Sequence, residues 1–196
     1  MSSKLKKKTK KPIRRDTDWE KRVSNTDKLI EDSYYNIRLI AYQILHDKFG
    51  FGQKRIIRVE RTIDEYMAAK AEGGLHTDEM LFFMKEKCDI DVKGEANLVP
   101  FRERFALTKH KIHADSQQSA GMYLLASILN YFCLLGVCLK TQFKFSANQI
   151  KKAYWHIRDY INTLSRYKQF ELTIDMIAES LMEEVKYCDF RYAKEG

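Results

Sequence analysis

The sequence predicts an all-α protein, an irregular or orthogonal bundle of about six helices around a buried central helix. Apolar residues recur at spacings of three and four along most of the chain, which is the period of an amphipathic helix. The 196 residues include only 8 Gly and 2 Pro, too few for the many turns of an all-β fold. Residues 116–139 carry no charge at all, which is typical of a helix that others surround.

Residues 1–18 are predicted to form a disordered basic arm, followed by a single helical domain over residues 19–196. Of the 35 Lys and Arg residues, eight precede residue 16 without any acid, so the remaining 27 balance the 27 acids of the domain. The net charge of +8 therefore belongs to the arm. Three interpretations compete: contact with nucleic-acid phosphates, a nuclear-localisation or anionic-lipid signal, and a solubilising tail. The cations of the arm are Lys4, Lys6, Lys7, Lys8, Lys10, Lys11, Arg14 and Arg15.

Three amphipathic helices are predicted in the first half of the domain. The first covers residues 27–48 and ends at the glycines of 50–52, because glycine adopts the left-handed conformation that terminates helices. The second covers residues 53–70, and the third starts with Thr77 as its N-cap. Residues expected to face inward on these helices include Ile30, Ile37, Ile56, Met67 and Phe82.

The uncharged stretch 116–139 has two interpretations, a central core helix and a membrane span. A core helix is favoured because polar residues recur along one side of the stretch at spacings of four and three. These residues are Ser119, Tyr123, Ser127 and Asn130.

The regions on either side of this stretch differ in how clearly they predict helices. Residues 88–100 are the least helical part of the chain, where a loop or a short strand is expected. Residues 101–113 are ambiguous between a helix and a strand, so a minor strand pair over residues 88–113 is one alternative. Ser146 and Gln149 form a capping box that opens the next helix, since each side chain can bond the other's backbone N–H. A last helix is expected over residues 173–187.

A basic face on the second helix is the main candidate site. Lys54, Arg58 and Arg61 are four and three residues apart, and Arg55 lies beside them. After a helix and a short glycine turn, this pattern suggests a helix-turn-helix with a basic second helix. The alternative is a solvated face with an Arg61–Glu65 ion pair. The residue types that hydrogen-bond base edges are sparse here, limited to Gln53 and Thr62.

No metal, cofactor or catalytic site is predicted. The four cysteines form no C-x-x-C pair, and the His110/His113 pair lies among lysines that would repel a cation. Paired carboxylates and nucleophile motifs are also lacking in the sequence, so an enzyme is not the expected class, although catalytic triads can assemble across a fold. A second basic patch is expected instead at Arg102, Arg104, Lys109 and Lys111.

Residues 45–56, LHDKFGFGQKRI, resemble a segment of short, uncharacterised proteins encoded by phages and prophages of Gram-positive bacteria. The resemblance covers residues 39–66. It implies a bacterial or viral context, hence a location in the cytoplasm of a bacterial host, and it carries over no activity and no site residue.

The expected function is therefore that of a non-enzymatic, nucleic-acid-associated regulatory or accessory phage protein. The arm, together with Lys54, Arg55, Arg58 and Arg61, would contact the backbone of DNA or RNA without sequence preference. One alternative is a phage effector that binds and inhibits or redirects a host protein, using aromatic anchors. Another is a membrane protein that spans through residues 116–139, although a membrane is not the expected partner. A homo-oligomer is compatible with all of these.

Overall fold

The computed structural model describes residues 15–109, 116–166, 169 and 172–187, and within these ranges it contains seven α-helices and no strand. The all-α prediction is confirmed. A short 3-10 helix, Glu103–Leu107, lies between the fourth and fifth α-helices. The α-helices are α1 (Arg15–Phe49), α2 (Gln53–Ala71), α3 (Thr77–Cys88), α4 (Val92–Asn97), α5 (Gln117–Gln142), α6 (Ala147–Ser165) and α7 (Ile174–Glu184).

Helix α5 is the centre of the bundle. It packs against α1, α2, α3, α4 and α6, and its most extensive contact is with α1. By length and composition alone α5 could cross a membrane, but 61% of its most apolar stretch is buried inside the protein. The second half of its polar side faces other helices, since Ser33 of α1 donates to Ser127 and Lys70 of α2 donates to Asn130, whereas Ser119 and Tyr123 are exposed. These contacts are those of a core helix.

Helix α1 starts earlier than the sequence predicts. Its first residue is Arg15, so residues 15–18 of the predicted arm are helical, while residues 1–14 lie outside the described residues. The sequence of residues 15–18 contains no apolar residue, so a prediction based on apolar spacing does not reach this turn.

The prediction of a strand pair in residues 88–113 is wrong for the part that the structure describes, residues 88–109. This part contains α4, whose N-cap Asp91 accepts a hydrogen bond from the Gly94 N–H, and the 3-10 helix.

The prediction of a second basic patch is wrong at Arg104. This side chain is buried and donates to the carbonyl oxygens of Val99 and Gly121. Lys109 forms an ion pair with Asp175.

Several boundaries and faces differ in detail from the sequence prediction. The N-cap of α3 is His76 rather than Thr77, and Phe82 of that helix is 68% exposed because Met80 and Met84 fill its inner face. Ile30 and Met67, predicted to face inward, are also exposed.

The capping box at the start of α6 is confirmed, with Ser146 accepting a hydrogen bond from the Gln149 N–H.

Candidate nucleic-acid interface

Helix α2 divides into a buried and an exposed face. Its apolar stripe packs on the bundle through Ile56, Val59 and Ile63, which are all at most 1% exposed. The cations are therefore turned outward, as the helical spacing predicts. The exposed cations are Lys54, Arg55, Arg58 and Arg61, which we call the basic face.

The turn before α2 leaves its positive end uncapped by any side chain. Gly50, with φ +65°, ends α1 in the left-handed conformation, and the Phe51 N–H returns to the Leu45 carbonyl. The N-cap of α2 is Gly52, which has no side chain to accept the first N–H groups. The first turn also holds no acid. The helix dipole therefore adds positive potential to that of Lys54 and Arg55.

A cluster of phenylalanines supports two of the arginines. Phe51 packs against Phe143 and Phe145, with ring centroids 4.9 and 5.9 Å apart. The guanidinium of Arg55 lies 5.5 Å from the centroid of Phe51, and that of Arg58 lies 5.5 Å from the centroid of Phe143. Stacking on an aromatic ring positions a guanidinium while leaving its charge and edge donors available.

A shallow groove of about 400 Å³ runs along the basic face. Arg58 reaches across it and donates to Oε1 of Gln142, at the end of α5, over 2.9 Å. Glu65 is the one acid among the residues that line the groove. The described lining residues are Lys54, Ile57, Arg58, Arg61, Thr62, Glu65 and Gln142.

The alternative interpretation of these residues is a solvated face with an Arg61–Glu65 ion pair. Across the described ranges, none of the four cations of the basic face lies within ion-pair distance of a carboxylate. Their charges are therefore not neutralised locally, and the face presents a net positive potential to solvent.

The two candidate base-reading residues are both engaged within the protein. The Gln53 amide donates to the backbone carbonyl of Lys186 over 2.7 Å. Thr62 is only 6% exposed. Neither side chain is presented to a base edge, so the basic face offers contacts suited to phosphates rather than to bases.

Most of the remaining predicted site residues lie outside the part of the chain that the structure describes. Lys4, Lys6, Lys7, Lys8, Lys10, Lys11 and Arg14 lie outside the described residues, as do Lys111 and both histidines of the predicted pair. Arg15 is the first residue of α1. Gln142 and Phe143 are not predicted from the sequence, because only the fold brings the end of α5 beside α2.

Comparison with known proteins gives no guide to this site. No protein-family model matches the chain, and neither the curated proteins nor the solved structures include a match to it.

Proposed function

We propose that this protein binds nucleic acid without sequence preference, through phosphate contacts made by the basic face of α2 and by the N-terminal arm. The observation that carries the proposal is the basic face itself: four exposed cations without ion-pair partners among the described residues, two of them resting on phenylalanine rings. Clustered cations release condensed counterions when they contact phosphates, which supplies affinity independent of sequence.

Because Gln53 is hydrogen-bonded within the protein and Thr62 is buried, we expect contacts to the nucleic-acid backbone rather than to its bases. A recognition helix reads bases through amide, hydroxyl or guanidinium groups that enter the major groove. On α2 the Gln53 amide is held by the Lys186 carbonyl and the Thr62 hydroxyl is buried, so the contacts that remain available to a ligand come mainly from the charged side chains. A regulatory or accessory role in a phage is part of the same proposal, for which the resemblance of residues 39–66 supplies only the bacterial or viral context.

Fluorescence anisotropy tests this proposal with two labelled duplexes of equal length and contrasting base composition. We expect equal affinity for both at about 100 mM salt, and a steep loss of affinity as salt rises. A chain that starts at Asp16 should retain weaker, still salt-dependent binding through the basic face. A strong preference for one duplex, or no binding by the full chain, would contradict the proposal.

A second candidate function, binding of a host protein, is favoured by a cleft between α1, α2 and α5. Its volume is about 420 Å³ and its lining is mainly apolar. Ile30 and Met67 stand at its edge, 38% and 40% exposed. Exposed apolar side chains around a cleft are typical of a site that accepts an anchor residue. A Met67→Lys variant that loses a partner but retains nucleic-acid affinity would favour this function.

A further inference from the structure

Three ligand-type side chains meet where α1 and α7 end. His46 and Asp47 occupy the last turn of α1, and Glu184 is the last residue of α7. The His46 Nε2 and Glu184 Oε2 atoms are 3.3 Å apart. One candidate ligand atom from each of the three residues lies within 4.8 Å of the other two. From this geometry we propose that His46, Asp47 and Glu184 bind a divalent transition-metal ion.

The distances fit a single ion. With metal–ligand bonds of about 2.1 Å, ligand atoms at right angles are about 3.0 Å apart, and opposite ones about 4.2 Å. The pair of His46 and Glu184 therefore already approximates two adjacent ligands, and the exposed Asp47 side chain, whose candidate ligand atom lies within 4.8 Å of both, completes the third by turning toward the ion. The ends of both helices carry partial negative charge, which also favours a cation at this point.

Each ligand is oriented by a hydrogen bond from outside the group of three. His46 Nδ1 bonds the Phe51 carbonyl over 3.0 Å. Because a carbonyl only accepts, the neutral ring carries its proton on Nδ1, which leaves the lone pair on Nε2 toward Glu184. Ser180 donates to Oε1 of Glu184 over 3.1 Å, which leaves Oε2 beside His46. Partners of this kind fix the tautomer and orientation of metal ligands.

Asp47 has a similar partner, and that partner has an unused oxygen. The Gln43 amide donates to Oδ1 of Asp47 over 2.9 Å. Gln43 is only 5% exposed, and its Oε1 has no hydrogen-bond partner among the described residues. A buried amide oxygen without a donor is costly. Water bound to a cation beside Asp47 would supply that donor.

The ligand set favours an ion such as Mn²⁺ or Zn²⁺ over Mg²⁺, because imidazole nitrogen is a poor ligand for the harder ion. The sequence alone does not predict a metal site here, since Glu184 is distant along the chain from His46 and only the packing of α7 on α1 joins them. A bound ion would tie α7 to the turn at Phe51, the residue that supports Arg55.

Titration of the full chain with Mn²⁺, followed by the electron paramagnetic resonance signal of the free ion, tests this site. Glu184→Gln keeps the shape of the side chain and removes its charge, and Glu183→Gln makes the same change one residue away on an exposed position. We expect one ion to bind the wild type and Glu183→Gln equally, and to bind Glu184→Gln at least about tenfold more weakly.

Thermal unfolding after chelator treatment checks that each variant folds, and added Mn²⁺ should raise Tm only in the two chains that bind. Asp47→Asn provides a second, independent loss of a ligand and should also weaken binding. Equal Mn²⁺ affinity of Glu184→Gln and Glu183→Gln, or no binding by the wild type at millimolar Mn²⁺, would overturn the assignment. Nucleic-acid binding by the basic face is measured separately, so neither result decides the other.

Discussion

Helices α2 and α5 pack against each other, yet they contribute different side chains to the protein. Helix α5 contributes mainly buried apolar residues, whereas α2 exposes a row of cations. Helix α5 buries an uncharged body, with Phe132, Cys133 and Leu135 at 0% exposure. Helix α2 buries one narrow stripe and turns four cations outward. The stability of the fold therefore depends mainly on the buried side chains of α5, and the positive charge of the basic face comes from the exposed side chains of α2. Substitutions in α5 should change folding, whereas substitutions on the outer face of α2 should change binding and leave folding nearly intact.

The largest expected effect is on stability, from Phe132→Ala in α5. The Phe132 ring stacks on Tyr154 with centroids 4.4 Å apart, and both side chains are fully buried. Removing the ring should lower the free energy of unfolding by about 3–5 kcal/mol, because a cavity is added to the lost transfer energy. Urea unfolding measures this. Phe82→Ala, at a 68% exposed position, is the matched control and should change stability by about 0.5 kcal/mol or less.

A comparable loss in Phe82→Ala would mean that α3 contributes to the core through a face that the structure leaves in solvent. A loss below about 1 kcal/mol in Phe132→Ala would contradict the central position of α5.

The buried thiols of α5 should make stability sensitive to alkaline pH. Burial raises the pKa of Cys133 and of Cys138 to about 12, whereas the pKa of a thiol in the unfolded chain is about 8.5. A raised pKa means that the folded state holds its protons longer. Stability is then fully present below about pH 8.5 and is lost as pH rises above it, by up to about 1.4 kcal/mol per pH unit for each thiol.

Urea unfolding between about pH 8 and pH 9, below the pH of about 10 at which unfolded tyrosines are half ionised, measures this loss. The double variant Cys133→Ala, Cys138→Ala should show a shallower fall in stability with pH than the wild type. If the two chains give the same slope, these thiols are not protected from ionisation in the folded protein.

Sequence pattern could predict the fold because most helices here bury a stripe at helical spacing. The Ser146 capping box and the inner stripe of α2 follow directly from residue order. The start of α1 at Arg15 and the short α4 could not be predicted in this way, because a charged first turn and a six-residue helix carry no stripe. Phe82 shows the reverse error, since an apolar residue on a helix need not face inward.

The candidate site was predictable only in part, for a similar reason. Spacing alone places Lys54, Arg58 and Arg61 on one face. It gives no indication that Arg58 rests on Phe143 or that Gln53 is held by Lys186, because these contacts join residues that are far apart along the chain. Buried Arg104 shows why charge in a sequence does not by itself make a surface patch.

The smallest expected effect is on nucleic-acid affinity, from a substitution of the acidic residue in the groove. Glu65 places one carboxylate among the cations of the groove, so Glu65→Gln should raise affinity for a mixed-sequence duplex by about twofold. Anisotropy at low salt, where surface charges are least screened, measures this change. Glu86→Gln on α3 is the control and should leave affinity unchanged. Lower affinity in Glu65→Gln would show that this carboxylate orders the arginines rather than opposing the ligand.

The most direct test of the central claim is the slope of log affinity against log salt for the double variant Arg58→Glu, Arg61→Glu. Lys87→Glu, an exposed charge reversal on α3, is the control. If the basic face contacts phosphates, the double variant should bind at least about tenfold more weakly at about 100 mM salt, with a slope shallower by about two units. The control should match the wild type. Equal affinity and slope in the double variant and the control would contradict the assignment of nucleic-acid binding to α2.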